Sequence, residues 1–318
     1  MADFVEVLRC PASHRNLRLA DDGFLTTEDG TRYPYREGVA CLLPLADDRA
    51  SENDSIREFY QNEGWETDEH GFYSDTKAFV DTRAASIDFT RKCIARLARR
   101  FRKGGKYLLD AGSGPIAHDE LLAYGDAFEQ RICIDLSAQA LRVARSKLGE
   151  RGVYLQGDLT NLPLRDNSMD AITCNHVIYQ LPDAQQSVAL RELWRVLKPG
   201  GLAVVVYWWW PYAPLAFRIE QFAKGMGWDR GVEALTNDAA KPNLLHRPHE
   251  RSWFEAQDWP FRYGYDTFRV VDNPFMRRYV PDDWRGGLFL NALFVLQCAA
   301  PSYCGKHGAI PAILIYKD

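Results

Sequence analysis

Tyr107-Leu108-Leu109-Asp110-Ala111-Gly112-Ser113-Gly114-Pro115 is a short apolar strand that runs straight into Gly-x-Gly, and the reading of this stretch decides the fold. Two glycines at the C-terminal end of a strand bring bare backbone against a ligand, which is how an open α/β sheet holds a nucleotide. About 20 residues on, a second apolar strand, Arg131-Ile132-Cys133-Ile134-Asp135, ends in an acid where a ribose would present its hydroxyls. A third strand, Gly152 to Gln156, runs into Gly157-Asp158-Leu159, an acceptor and an apolar side chain of the kind an adenine amino group and ring require. The fourth, Asp170 to Cys174, opens into Asn175-His176-Val177-Ile178-Tyr179. A helix through Leu193 and Val196 stops at Leu197-Lys198-Pro199-Gly200-Gly201, before a fifth strand from Leu202 to Tyr207.

In this order and spacing the four motifs resemble the class I S-adenosylmethionine-dependent methyltransferases: Leu-Asp-Ala-Gly-Ser-Gly, the acid ending strand two, Gly-Asp-Leu after strand three, and Leu-Lys-Pro-Gly-Gly before strand five. The resemblance covers about residues 105 to 210, and departs from the family where Pro115-Ile116 stands in place of a further glycine. It implies an α/β fold with a Rossmann-like seven-stranded sheet and helices on both faces. It also implies S-adenosyl-L-methionine as cofactor, with Asp110, Gly112, Ser113, Gly114, Pro115, Asp135, Leu136, Asp158, Leu159 and Asn175 around it. A nicotinamide dehydrogenase would share the fingerprint through Gly112, Gly114 and Ala117, but gives no reason for Asp158 or for the Lys-Pro-Gly-Gly turn.

The chain has 318 residues, 46% hydrophobic and 26% charged, with a formal net charge of −4, which suits one large domain with appendages. Its longest apolar run, Leu202 to Trp210, is under half of the ~20 residues a membrane span needs. Asp3 and Glu6 interrupt the N-terminus, so no signal peptide is expected and the protein is expected in the cytoplasm. Seven scattered cysteines without a Cys-x-x-Cys pair read as reduced thiols rather than a disulfide framework.

Residues 1–46 form a unit of their own, with Leu8-Arg9-Cys10-Pro11, a turn at Asp21-Asp22-Gly23, Tyr33-Pro34-Tyr35-Arg36-Glu37-Gly38 and Leu42-Leu43-Pro44. This unit resembles the small zinc-ribbon-like heads of the methyltransferase-activator type. By that family's pattern, Cys10 keeps one of four zinc ligands while Ser13, Thr26 and Asp29 stand for the rest, so no metal is expected. His14 reads as a loop histidine. Without metal, so small a unit has to pack on its neighbour. Residues 47–81 are acidic and carry Tyr60, Trp65 and Tyr73, either a lid over the cofactor or a staple between the units. Residues 82–318 are then the methyltransferase domain, with a cap insertion at about 211–265.

A helix from Ile87 to Phe101 carries Arg91, Lys92, Arg96, Arg99, Arg100, Arg102 and Lys103 on its polar side, the one strongly basic stretch. With a negative net charge it reads as a solvated face, and a nucleic-acid partner is not expected. On the substrate side stand Trp208, Trp209, Trp210 and Tyr212, then Arg247 and Trp253, large rigid faces for rings and a cation for an acidic group. Strand alternation forbids all three consecutive tryptophans from pointing one way, so at least one packs in the core. For a hydroxyl acceptor, His176 past strand four is the first candidate base, titrating near neutrality, with Tyr179 to position it and His246 and His249 as further candidates. The closing segment, Phe268 to Asp272, the helix through Leu288 to Leu296 and the strand Ala312 to Tyr316 read as structural. The expected activity is O-methylation of a small molecule, a sugar or natural-product hydroxyl. An RNA base methyltransferase and a catalytically silent cofactor-binding scaffold are the alternatives, and the oligomeric state is left open.

Overall fold

The computed structural model of the protein describes residues 3–43, 80–211, 213–231 and 246–318. The expectations for Tyr60, Trp65, Tyr73 and Tyr212 lie outside the described residues.

Seven strands make the sheet that carries the motifs: β5 (Gly105–Ala111), β6 (Phe128–Asp135), β7 (Gly152–Gln156), β8 (Met169–Asn175), β9 (Leu197–Val206), β10 (Arg262–Arg269) and β11 (Ile310–Tyr316). They lie in the order β7-β6-β5-β8-β9-β11-β10. The pairs from β7 through β9 are parallel, while β11 runs antiparallel to both β9 and β10. An antiparallel strand set between the fifth and the last departs from the dinucleotide-binding order, in which six strands follow one another in parallel. It also puts the C-terminal end of β10 at the same edge as the ends of β5, β6, β7 and β8, where a ligand sits in such sheets.

The strands are buried on both faces, as parallel strands covered by helices should be. Tyr107, Leu109, Ile132, Ile134, Ile172 and Val205 join one core with Ala189, Leu190, Leu193 and Val196 of a helix over Asp183–Val196. Leu108, Ala171, Val204 and Leu314 join the other with Phe89, Cys93, Ile94 and Leu97 of α1 (Ala84–Ala98). These four residues share one face of α1 by their three- to four-residue spacing, and burying each large apolar side chain contributes about 1.5–3 kcal/mol. The predicted turn before strand five is drawn into β9 itself: the helix ends at Val196, β9 begins at Leu197, and Gly200 takes a positive φ of 74°.

The first forty-odd residues continue the same sheet. Strands β1 (Arg18–Leu19), β2 (Phe24–Thr26), β3 (Arg32–Arg36) and β4 (Val39–Cys41) form a meander, and β4 pairs parallel to β7. Phe4, Leu8, Leu17, Leu25 and Tyr33 are buried in the core that also holds β5 and β6, so this unit is stabilised by its neighbour. Cys10 Sγ accepts from the Ser13 amide at 3.3 Å and lies 3.2 Å from Tyr33 Oη. Among the described residues no three His, Cys, Asp or Glu side chains converge as a metal site. No single helix there is long and apolar enough to cross a membrane.

The basic helix is not simply a solvated face. Asp266 of β10 is fully buried, and Arg96 Nη1 (2.7 Å) and Arg100 Nε (2.8 Å) both donate to its carboxylate. Arg91 pairs with Glu120, Lys92 with Asp88, and Lys103 donates to the Gly200 carbonyl. The helix thus spends most of its cations on this chain's own acids and carbonyls, which accounts for the basic stretch without a phosphate partner.

Candidate active site

The glycine loop is held by its own hydrogen bonds. The Gly112 and Ser113 amides donate to the Ile134 carbonyl at 2.8 and 3.1 Å, Gly114 donates to Asp135 Oδ2 at 2.8 Å, and Ile116 donates to the Ser113 carbonyl at 3.2 Å. Pro115 has no amide hydrogen. Every amide from 112 to 116 is therefore engaged, and none remains to cradle a pyrophosphate as a dinucleotide loop does. A 3₁₀ turn over Asp119–Gly125 follows, with Asp119 and Glu120 in its first turn, where a phosphate would meet repulsion. Gly112 is required twice over: its φ is 70°, and a Cβ there would stand 2.4 Å from Val177 Cγ2. At the family's missing glycine, Ile116 adopts a φ of 54°, a left-handed conformation costly for a β-branched residue and tolerated because its side chain is fully buried.

Asp135, at the end of β6, accepts from Gly114 on Oδ2 and from the Ser137 amide on Oδ1 at 2.9 Å. A carboxylate offers about four acceptor positions, so these two bonds leave its oxygens room to accept from hydroxyl donors. Burial pushes its pKa up to about 6, against the Ser137, Gly114 and Leu136 amides that favour the charged form. Asp158 accepts from the Thr160 amide at 2.8 Å, leaving its other oxygen open, while Leu159 packs at 6% exposure in the core. Leu136 is half-buried beside Asp135 and its carbonyl accepts from Gln156. Asp110 sits differently: it is 3% exposed and Arg131 of the neighbouring strand holds its carboxylate, with Nε at 3.1 Å. Its place is beneath the loop, as a support.

Past β8 the chain turns sharply, with His176 at a φ of 61°. Asn175 donates to Thr173 Oγ1 at 3.0 Å, and His176 Nδ1 lies 3.1 Å from Tyr179 Oη. The expectation that His176 titrates near neutrality fails. Burial, and after it the positive charge of Arg269, pushes its pKa down to about 3, so the imidazole is neutral at physiological pH. His118 and His246 are pushed down as well, burial being the main cause. Rings surround this group: Phe268 meets His176 edge-on at 5.4 Å, and Tyr179 meets Trp208 at 6.0 Å and His246 at 5.6 Å.

The consecutive tryptophans separate as strand alternation requires. Trp208 faces the Tyr179 cluster and donates to Asp272, and Trp210 is half-exposed. Trp209 is 2% exposed, with its indole donating to the Gly305 carbonyl at 2.9 Å. Its proposed substrate contact is therefore replaced by a core role. His249 stacks on Trp253 at 4.1 Å and lies 3.4 Å from Asp183, and Trp253 meets Trp259 edge-on. These contacts place both in a second aromatic cluster with Phe254, not among the rings about His176. Arg247 lies between: its amide donates to the Tyr179 carbonyl at 2.7 Å. Sequence reasoning passed over His118 and took Phe268, Arg269 and Asp272 as structural only, yet all four are brought to this edge. The available signal was a lone arginine in the otherwise apolar run Phe268 to Val271.

A sheet with an antiparallel strand before its last, an acid at the end of β6 and an internally satisfied glycine loop make up this edge. Residues 109–205 match the family described as "Methyltransferase domain", so the chain carries an S-adenosylmethionine-dependent methyltransferase domain. It is similar to the uncharacterized methyltransferase YcgJ of Bacillus subtilis, with 26% identity over 202 residues, 62% of this chain and 74% of that one. It is also similar to the ubiquinone/menaquinone biosynthesis C-methyltransferase UbiE of Cellvibrio japonicus, with 33% identity over 167 residues. That match covers 46% of this chain and 63% of the relative, less than two thirds of its length. Among solved structures, phosphoethanolamine N-methyltransferase 2 of Haemonchus contortus, in complex with S-adenosyl-L-methionine, is 15% identical. It covers 70% of this chain and 52% of that one at a TM-score of 0.44, a likeness too loose to argue from.

Proposed function

We propose that the protein transfers the methyl group of S-adenosylmethionine to a hydroxyl oxygen of a small-molecule acceptor seated against His176, Tyr179 and Trp208. The observation that carries this reading is the position of His176 just past the end of β8, with Nδ1 3.1 Å from Tyr179 Oη and both rings against the acceptor-side aromatic cluster. When Nδ1–H donates to Tyr179, Nε2 is an acceptor and can orient a substrate hydroxyl and take up its proton as the oxygen attacks. So weak a base adds little by proton transfer alone. Most of the acceleration then comes from alignment, which can supply about 7–11 kcal/mol. Asp135 would take the ribose hydroxyls, Asp158 the adenine amino group, and the glycine loop would lie along the cofactor's backbone side.

A second reading, methylation of a ring carbon next to a hydroxyl, is supported by the similarity to the quinone C-methyltransferase. The same hydroxyl contact would serve, with the electrons delivered from carbon. We further read residues 1–46 as a ribbon-like head that has lost its zinc, a reading supported by the engagement of Cys10 with Ser13 and Tyr33. Calorimetric titration of the full chain with S-adenosylmethionine and S-adenosylhomocysteine, with NAD as control, tests the cofactor. Incubation of an acceptor panel with trideuteromethyl cofactor then separates oxygen from carbon by the site of the label. Failure of the sulfur nucleosides to bind folded protein overturns the proposal.

A further inference from the structure

Arg269 is the last residue of β10 and is 4% exposed. Its Nη1 donates to Thr90 Oγ1 at 3.2 Å and to Asn273 Oδ1 at 2.9 Å, and its guanidinium carbon lies 5.2 Å from the Phe268 ring. Nε is buried and has no hydrogen-bond partner. Other buried guanidinium groups meet a carboxylate: Arg131 meets Asp110, and Arg96 meets Asp266. Among the described residues no carboxylate lies within ion-pair distance of Arg269. The two nearest acids by sequence and charge are committed elsewhere, Asp81 to Arg83 and Ser86, and Asp272 to the Phe275 amide and Trp208. Leaving a cation buried without its counter-ion costs several kcal/mol, so such a group calls for an anion from outside the described chain.

Direction and place narrow what that anion is. Arg269 closes β10 at the ligand edge of the sheet, and the Phe268 ring beside its guanidinium meets the His176 ring at 5.4 Å, which places it on the acceptor side. With Nη1 occupied, the side of the guanidinium bearing Nε is the one without a partner, and a side-on pair of N–H donors matches the two coplanar oxygens of a carboxylate. We propose that Arg269 binds a carboxylate on the methyl acceptor, making the substrate an acidic ring compound held by the buried arginine among Phe268, Trp208 and His176. The inference rests on the small-molecule reading above and names its substrate class.

The test uses the full chain saturated with S-adenosylhomocysteine, titrated with benzoate and with its neutral isostere benzamide. Cofactor-product binding reports on the methyltransferase reading, and benzoate binding reports on this one. Benzoate binds the wild-type protein, and Arg269→Gln weakens it at least about tenfold, the loss of a charge-assisted bidentate pair, while benzamide is indifferent to the change. Arg269→Lys keeps the charge but not the fork and recovers benzoate only in part. The melting temperature of the unliganded Arg269→Gln protein stays within about 2 °C of wild type, since an unpaired cation has been removed. Equal benzoate affinity in the variants, or a substantially lower melting temperature, overturns the proposal. Loss of S-adenosylhomocysteine binding in Arg269→Gln also overturns it, because the anion would then be the cofactor's own carboxylate.

Discussion

If the ribose of the cofactor donates to Asp135, binding must be linked to a proton. In the unliganded protein, burial holds this carboxyl at about 6, with the nearby negative charge of Asp110 adding to the upward push and the Gly114, Ser137 and Leu136 amides opposing it. Two hydroxyl donors would stabilise the charged form and return the carboxyl to about 4 or below. At pH 5 the free carboxylate is then only about one part in eleven, and at pH 7 about ten in eleven, so affinity improves about tenfold, or about 1.4 kcal/mol, between them. The unliganded fold has the opposite sign. Its raised carboxyl prefers the proton, so stability from this group grows as pH falls through 6 and is lost again as pH rises. Calorimetric titration with S-adenosylhomocysteine from pH 5 to 7, in buffers of different ionisation enthalpy, reads the slope and counts the protons released. Asp135→Asn should weaken binding about 10- to 100-fold and flatten the slope, because an amide neither titrates nor accepts on both atoms. A wild-type affinity independent of pH over this range, with no proton released, would refute the assignment of Asp135 to the ribose.

Other perturbations follow from single contacts. Gly112→Ala should reduce cofactor affinity about tenfold, from about 1–2 kcal/mol of left-handed strain and the collision with Val177; adding Val177→Ala should recover part of it, as read by the same titration. Arg96→Ala with Arg100→Ala should destabilise the fold by about 3–5 kcal/mol in a denaturant melt by stranding the buried Asp266, whereas Arg99→Ala with Arg102→Ala should change it by less than about 0.5 kcal/mol. With an identified acceptor, His176→Ala should lower kcat at least about tenfold, and the wild-type rate should show no limb from this histidine between pH 5 and 8. Because its folded pKa is depressed, the stability it contributes is present above about 6.5 and lost as pH falls toward 3, a loss His176→Gln should diminish in acid melts.

The features legible in the sequence are those fixed by local backbone: the glycine loop, the acid that closes β6, the Gly-Asp-Leu after β7 and the break before β9 are each written within a few consecutive residues. What escaped depends on which residues the sheet and helices bring together. Asp110 reads as a loop-proximal ligand until Arg131 on the neighbouring strand claims it. Helical periodicity puts Arg96 of α1 and Arg100 of the turn after it on the polar side, and nothing local reveals Asp266, 170 and 166 residues away, as their partner. His176 was located but its ionisation was not, since that is set by burial and by a charge on β10. Of the closing segment Phe268 to Asp272, only Phe268 and Arg269 belong to β10, and Asp272 caps the helix that follows; nothing local reveals the bulge between Thr267 and Arg269, which breaks the regular pairing with β11.

The charges at this edge form a consistent set for sulfonium chemistry. A methyl donor carries a positive charge at the sulfur that disappears on transfer, so an environment that neither repels it nor solvates it strongly with water favours the reaction. An imidazolium at His176 would repel it; burial and Arg269 together keep that ring neutral. Arg269 on its own would be an unfavourable neighbour for a sulfonium, and an acceptor carboxylate resting on it removes the conflict. Cofactor and acidic acceptor should therefore bind with positive coupling, and a reciprocal gain in benzoate affinity on adding S-adenosylmethionine rather than S-adenosylhomocysteine would measure the part due to charge. Equal coupling with the two nucleosides would mean that Arg269 and the sulfonium are too far apart to sense each other, and the charge argument would fail.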